Sequence, residues 1–167
     1  MHNELTRKDI QMMREELDYR RTQLRPKLLD AVKEARGFGD LSENFEYKAA
    51  KQEKNRNESR IRFLENMIRT AVVISDQGAA DAVNLYDKVT VYVEEDDEEE
   101  TYQIVTTMRQ DALHGLISKE SPVGRAVLGK KVGEKVHIQV SDDYGYDVVI
   151  RAIEKAADDG SIPLNAF

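Results

Sequence analysis

Cysteine and tryptophan are both absent from this sequence, proline occurs three times, and only 7% of the residues are aromatic. Without cysteine, neither disulfides nor thiolate metal sites are available. No run of 18 apolar residues occurs, so no segment combines the length and hydropathy of a transmembrane helix. The opening stretch, MHNELTRKDIQMMREELD, is charged from the start and holds no apolar signal core, so a soluble cytoplasmic protein is expected. His2, His114 and His137 are scattered without ligand spacing, which argues against zinc. No GxSxG, P-loop or GxGxxG pattern occurs, and no freestanding enzyme active site can be assembled from the motifs present.

What the chain has in quantity is charge, and it is unevenly placed. Residues 1–75 carry 16 Lys/Arg against 13 Asp/Glu, whereas residues 76–167 carry 9 against 19. With 167 residues, one to two domains are expected, and the asymmetry implies that the two halves do different work. An overall charge of −7 excludes a surface that grips nucleic acid everywhere; such a contact must be local and belongs to the first half.

From Thr6 to Arg36 the apolar residues Ile10, Met13, Leu17, Leu24, Leu28, Val32 and Ala35 recur mostly at 3-, 4- and 7-residue steps, the mark of a helix. Thr6 and Asp9 resemble a capping box at its start. Pro26 should kink it, and Gly37 and Gly39 should stop it. A second helix is predicted from near Asp40 to about Ala71, with a heptad seam of Ala50, Lys54, Asn57, Ile61, Leu64, Ile68 and Ala71. Two helices of this length joined by a short turn must lie antiparallel, each about 45 Å long. The first 75 residues therefore read as a coiled-coil arm with an acidic tip at 37–47.

Residues 76–85 read as a linker, after which the period changes to two. Tyr86–Val93 alternates with Val89, Val91 and Val93 on one face, and Thr101–Thr107 follows across the acidic run EEDDEEE, read as a solvated loop. Lys135–Val140 and Tyr146–Ile153 form a second hairpin pattern. Between the pairs, Ser121 is a candidate N-cap for a short helix ended by Gly129. The fold class is α+β: a helical hairpin, a compact domain at 86–156, and a tail at 157–167 with no period, expected to be loose.

The tip carries the densest chemistry. Asp40, Glu43 and Glu46 fall within seven residues of a glycine-hinged turn, with Ser42 and Tyr47 beside them as support. One reading is capping, with Asp40 at the N-cap and Glu43 at the third helical position. The other is metal binding: two carboxylates aimed one way suit a hard cation such as Mg²⁺, yet two cannot complete an octahedral shell. A half-site donated to a partner is then implied. Behind the tip, Lys48, Lys51, Lys54, Arg56, Arg60 and Arg62 face only Glu53 and Glu58 over 15 residues, a basic strip that is either a solvated helix face or a contact for a nucleic-acid backbone. Phe45 and Tyr47 either stack on a partner or close the tip on each other.

MREELDYRRTQLRPKLLDAVKEARGFGDLSENFEYKAAKQEKNRNESRI and ISKESPVGRAVLGKKVGEKVHIQV resemble the two signatures of the bacterial Gre transcript cleavage and elongation factors, closest to the GreA branch, and the resemblance runs from about Leu5 to Ile153. It implies an FKBP-like second domain that docks on the rim of the secondary channel of RNA polymerase through Ser121 and Pro122. The arm would enter that channel as a monomer, with no membrane involved. Asp40 and Glu43 match the family's tip acids. They would share a Mg²⁺ with the polymerase active site, none being bound by the free protein, while the polymerase cleaves backtracked RNA. Lys48, Lys51, Lys54 and Arg56 match the region that meets the RNA 3′ end. Phe45 departs from the family, which commonly has a small residue there, and the tail after Ala157 does not match the usual ending. The alternative implied is a channel-binding regulator without cleavage stimulation, and retention of Asp40 and Glu43 favours the cleavage factor.

Overall fold

A computed structural model of the chain describes residues 3–39 and 44–166. Asp40, Ser42 and Glu43 of the expected tip lie outside the described residues, as do His2 and Phe167. The chain divides into two units, one built from residues 10–71, the other from the described residues up to 9 together with 72–166.

The first unit is a helical hairpin. Helix α1 (Arg7–Tyr19) runs through a π-helical segment, Arg20–Leu24, into α2 (Arg25–Arg36), and α3 (Phe45–Thr70) returns alongside. The π segment is the local answer to Pro26. Proline lacks an N–H and its ring clashes with the carbonyl four residues back, so a widened turn with Arg25 N–H donating to Arg20 O absorbs the disturbance that a regular helix could not. The return is antiparallel, because pairs across the helices run in opposite orders along the chain. Glu16 meets Arg60 (2.7 and 3.1 Å), Arg20 meets Asn57 (2.8 Å), and Ala35 O accepts from Asn44 Nδ2 (2.6 Å).

Leu17, Leu28, Val32 and Ala35 are buried on one side of the seam and Asn57, Ile61 and Leu64 on the other. The predicted heptad seam therefore holds, with its polar members Asn57 buried and Lys54 half-buried. Buried Asn57 is satisfied by accepting from the Arg20 guanidinium and donating to the Arg20 carbonyl (3.4 Å), a pairing that favours one register over its neighbours.

The second unit begins with a capping box that fulfils the expectation: Thr6 N–H donates to Asp9 Oδ2 (2.9 Å) and Asp9 N–H to Thr6 Oγ1 (3.1 Å). A short parallel pair, β1 (Glu4–Leu5) and β2 (Val72–Val73), brings the two ends of this stretch together. The main sheet has strands β3 (Lys88–Val93), β4 (Glu98–Val105), β5 (Leu116–Ser118), β6 (Lys135–Gln139) and β7 (Gly145–Glu154), in the order β5-β4-β3-β7-β6. All neighbours are antiparallel except β4 and β5. Val89, Val91 and Val93 are buried as the alternation predicts, and with Ile104, Val127, Ile138, Val148 and Ile150 they form the core. Each such side chain removed from water contributes about 1.5–3 kcal/mol.

Three expectations are corrected here. The acidic run is not all loop: Glu98, Glu99 and Glu100 pair with Val93, Tyr92 and Val91, leaving 94–97 as the turn, with Asp97 at φ 53°. The end of the linker is core, since Ala82, Val83, Leu85 and Tyr86 are buried and Val83 N–H donates to Lys130 O. The tail is not loose either. Asp158 is bound by Arg109, Ile162 packs against the core and its carbonyl accepts from Arg109 Nε (2.7 Å), and Asn165 bonds Met108 and Thr107.

Helix α4 (Pro122–Val127) sits so close to β5 that a Cβ on Gly124 would lie 2.2 Å from the Ser118 carbonyl oxygen. Backbone cannot yield as a flexible side chain does, so Gly124→Ala should destabilise this unit by about 1–3 kcal/mol, read as a lowered melting temperature. An unchanged melting temperature would show that α4 can move off the strand.

Candidate functional site

The described residues on either side of 40–43 show how α2 ends and α3 begins. Helix α2 ends at Arg36, Gly37 and Phe38 N–H groups return to Glu34 O (3.0 Å) and Ala35 O (3.2 Å), and Gly39 takes φ 115°, a conformation that a side chain disfavours. Helix α3 begins at Phe45, and its N-cap is Asn44. Asn44 Oδ1 accepts from Tyr47 N–H (3.0 Å) while its Nδ2 donates to Ala35 O (2.6 Å), so one side chain satisfies an orphan donor of α3 and a carbonyl at the end of α2.

This corrects the expected start near Asp40. The cap belongs to Asn44, and the capping box of Asp40 and Glu43 is not what begins this helix. Asparagine is among the best N-cap residues, and Asn44 was overlooked because two other cap-formers precede it. Asn44→Ala should cost about 0.5–2 kcal/mol through the cap alone, measured as lost stability of the hairpin. A wild-type stability would mean that neither bond matters.

Around that closure, Tyr47 is half-buried with the Arg36 guanidinium 5.4 Å from its ring centre, and the hydrogen bond from Arg36 holds its phenol below the ordinary tyrosine pKa. Glu46 is exposed in the first turn of α3. Phe45 is 79% exposed, with Lys48 Nζ 5.6 Å from its ring centre, so it does not close the tip by burial; Phe38 is 61% exposed.

The basic strip survives in part. Lys48, Lys51 and Arg56 are exposed and Lys54 is half-buried on the seam. Arg60 does not belong to it: the residue is buried and bonded to Glu16 across the hairpin. Burial works to raise the Glu16 carboxyl, yet its bonds to Arg60 and Arg20 outweigh that and hold it below the usual glutamate range. Simple charge counting missed this because Arg60 lies beside seam residue Ile61.

In the second unit, Ser121 caps α4 as predicted, accepting from Gly124 N–H (3.0 Å) and donating to Ser118 O (2.7 Å). Its hydroxyl is thus committed within the fold, while Pro122 and Arg125 are exposed. Pro122, Arg125, Ala126, His137, Gln139 and Val140 line a surface cleft of about 380 Å³. His137 Nδ1 lies 2.8 Å from Asp147, whose hydrogen bond raises the imidazole pKa. Sequence reasoning also missed Arg109, which is buried between Asp9, Tyr86 and Asp158.

Among the described residues, no group of three or more His, Asp or Glu side chains can hold a metal, and no helix is long and apolar enough to cross a membrane.

Two family models match the chain in order: "Transcription elongation factor, N-terminal" over residues 3–73, and "Transcription elongation factor, GreA/GreB, C-term" over residues 78–155. The chain is 46% identical over 136 residues to the transcription elongation factor GreA of Geobacillus kaustophilus, covering 81% of this chain and 86% of that one. It is 43% identical over 135 residues to the GreA of Bacillus subtilis, with the same coverage of each. Among solved structures, the transcription factor Gfh1 is 26% identical, covers 90% of this chain and 96% of its own, and superposes with a TM-score of 0.44.

Proposed function

The chain belongs to the GreA/GreB family of transcription elongation factors, and from that premise we propose that it binds RNA polymerase and stimulates the polymerase's own cleavage of backtracked RNA. The observation that carries the reading is that both halves match this family in order and across nearly the whole chain.

The residues supply a division of labour. Asp40 and Glu43 fall in the 40–43 stretch that links α2 to α3 in sequence, and the sheet unit, with Ser121 and Pro122 at the start of α4, serves as the docking body on the rim of the secondary channel. What favours a chemical task for the two tip acids is Asn44: with the α3 cap provided elsewhere, the expected structural task does not fall to them. Asp40 and Glu43 are hard oxygen donors of the kind Mg²⁺ takes, and a pair leaves the rest of the shell to water and to the polymerase. Bound there, the ion would supply positive charge for the oxygens of a phosphodiester displacement.

The chain's own residues otherwise hold and position. Asn44 ties the ends of α2 and α3 together, Arg36 steadies Tyr47, and exposed Lys48, Lys51 and Arg56, with Lys54 at the seam, face the RNA phosphates. The protein contributes ligands and no complete active site of its own.

The test is a stalled, backtracked elongation complex carrying 3′-labelled RNA. Added protein should release short 3′ fragments and restore elongation. Binding to the polymerase without fragment release would make it a channel-binding regulator, and absence of binding would overturn the docking role as well.

A further inference from the structure

Among the described residues, none buries Phe45. It stands on the first turn of α3 with 79% of its surface in water, while the seam at this end of the hairpin is filled by Val32 and Ala35. A large exposed ring at the start of a helix stabilises little, and phenylalanine has no polar atom with which to serve as a cap. Lys48 Nζ stands over the ring, 5.6 Å from its centre, with Lys51 exposed one turn further on and Glu46 exposed at the next position.

An aromatic face with ammonium groups beside it is how proteins hold single-stranded nucleic acid: the base stacks on the ring and the backbone phosphate meets the cation. A hydrophobic pocket on a protein partner fits less well. Docking the ring there would carry the Lys48 ammonium toward an apolar surface and strip its water, whereas RNA brings an anion to the same place.

We propose that Phe45 is a stacking residue for a nucleobase at the 3′ end of the backtracked RNA, with Lys48 meeting the adjoining phosphate. The inference rests on the transcript-cleavage reading above and adds a base contact to it. Phe45 is a positioning residue: it holds the RNA end in place and touches no reacting atom. Because every base has a π face, the contact is tolerant of sequence but requires that a base be present.

The experiment compares wild type, Phe45→Ala and Phe45→Tyr on backtracked complexes whose RNA ends in either a normal or an abasic 3′ nucleotide, at saturating factor, with affinity for the polymerase measured alongside. On the normal end Phe45→Ala should cleave about tenfold more slowly, and Phe45→Tyr should match wild type. On the abasic end wild type should fall to the rate of Phe45→Ala, with polymerase affinity unchanged throughout. Equal rates for wild type and Phe45→Ala on the normal end would overturn the stacking role alone. A tenfold deficit that persists on the abasic end would also overturn it, placing the ring against protein. Wild type that cleaves neither RNA would overturn the cleavage reading, and this proposal with it.

Discussion

Replacing Asp40 or Glu43 with alanine is expected to lower stimulated transcript cleavage by on the order of 100-fold or more, while binding to RNA polymerase stays at the wild-type level. The size follows from the role: with only two carboxylates offered, losing one halves the protein's share of a shell that water and the polymerase must complete. The split between activity and binding is the informative part. Docking is assigned to the second unit, so a tip variant that loses cleavage and keeps its affinity separates chemistry from recruitment. Helix content should also be unchanged in both variants, because the cap of α3 is Asn44. If either variant cleaved normally, the metal-donating role of that residue would be wrong.

The second large effect concerns stability. Arg109→Met should destabilise the sheet unit by about 3–5 kcal/mol, because it strands two buried carboxylates. Arg109 is 1% exposed, and its NH1 donates to Asp9 Oδ1 (3.0 Å), to Asp158 Oδ2 (2.8 Å) and to the Tyr86 hydroxyl (3.2 Å), while NH2 donates to Asp158 Oδ1 (2.7 Å). Tyr86 is itself fully buried with φ 72°, a backbone position that tyrosine rarely takes, and burial pushes its phenol well above the ordinary range. One guanidinium thus ties the first turn of α1, the entry to β3 and the tail.

The melting temperature of Arg109→Met should fall by roughly 12–40 °C, since a unit near 100 residues loses about 4–8 °C per kcal/mol. Burial works to raise the Asp158 carboxyl, but Arg109 outweighs it and the pKa is lowered. The stabilisation is therefore full above the ordinary aspartate pKa and lost as pH falls through the lowered one. Asp158→Asn should flatten that acid branch of the stability curve. A wild-type melting temperature for Arg109→Met would show the network to be incidental.

The same network explains where the sequence was legible and where it was not. Features set by local spacing could be read directly: the Thr6–Asp9 capping box, the alternation of Val89, Val91 and Val93, the seam through Asn57, Ile61 and Leu64, and the Ser121 cap. Features set by partners far along the chain could not. Arg109 and Asp9 are 100 residues apart, Arg109 and Asp158 49 apart, and neither pair leaves a period in the sequence. The tail looked loose for that reason, its order coming from hydrogen bonds to residues 107–109 and not from an amphipathic face. Strand β5 has only three residues and is held by the parallel ladder to β4, too short a run for alternation to register.

At the tip the difficulty was different. Asp40, Ser42 and Asn44 are all able to cap a helix, and only the position of α3 assigns that task to Asn44. The pattern of carboxylates was visible from the start, whereas its release from capping was not. That assignment turns the tip acids from a local explanation into candidates for chemistry on a partner.

The most direct measurement of the central claim is the Mg²⁺ dependence of transcript cleavage in a backtracked complex, with and without the protein. If Asp40 and Glu43 help hold the ion, wild-type protein should lower the half-saturating Mg²⁺ concentration about tenfold or more relative to the polymerase alone, and Asp40→Ala and Glu43→Ala should each abolish that shift. A half-saturating Mg²⁺ concentration that wild-type protein leaves unchanged would contradict the account.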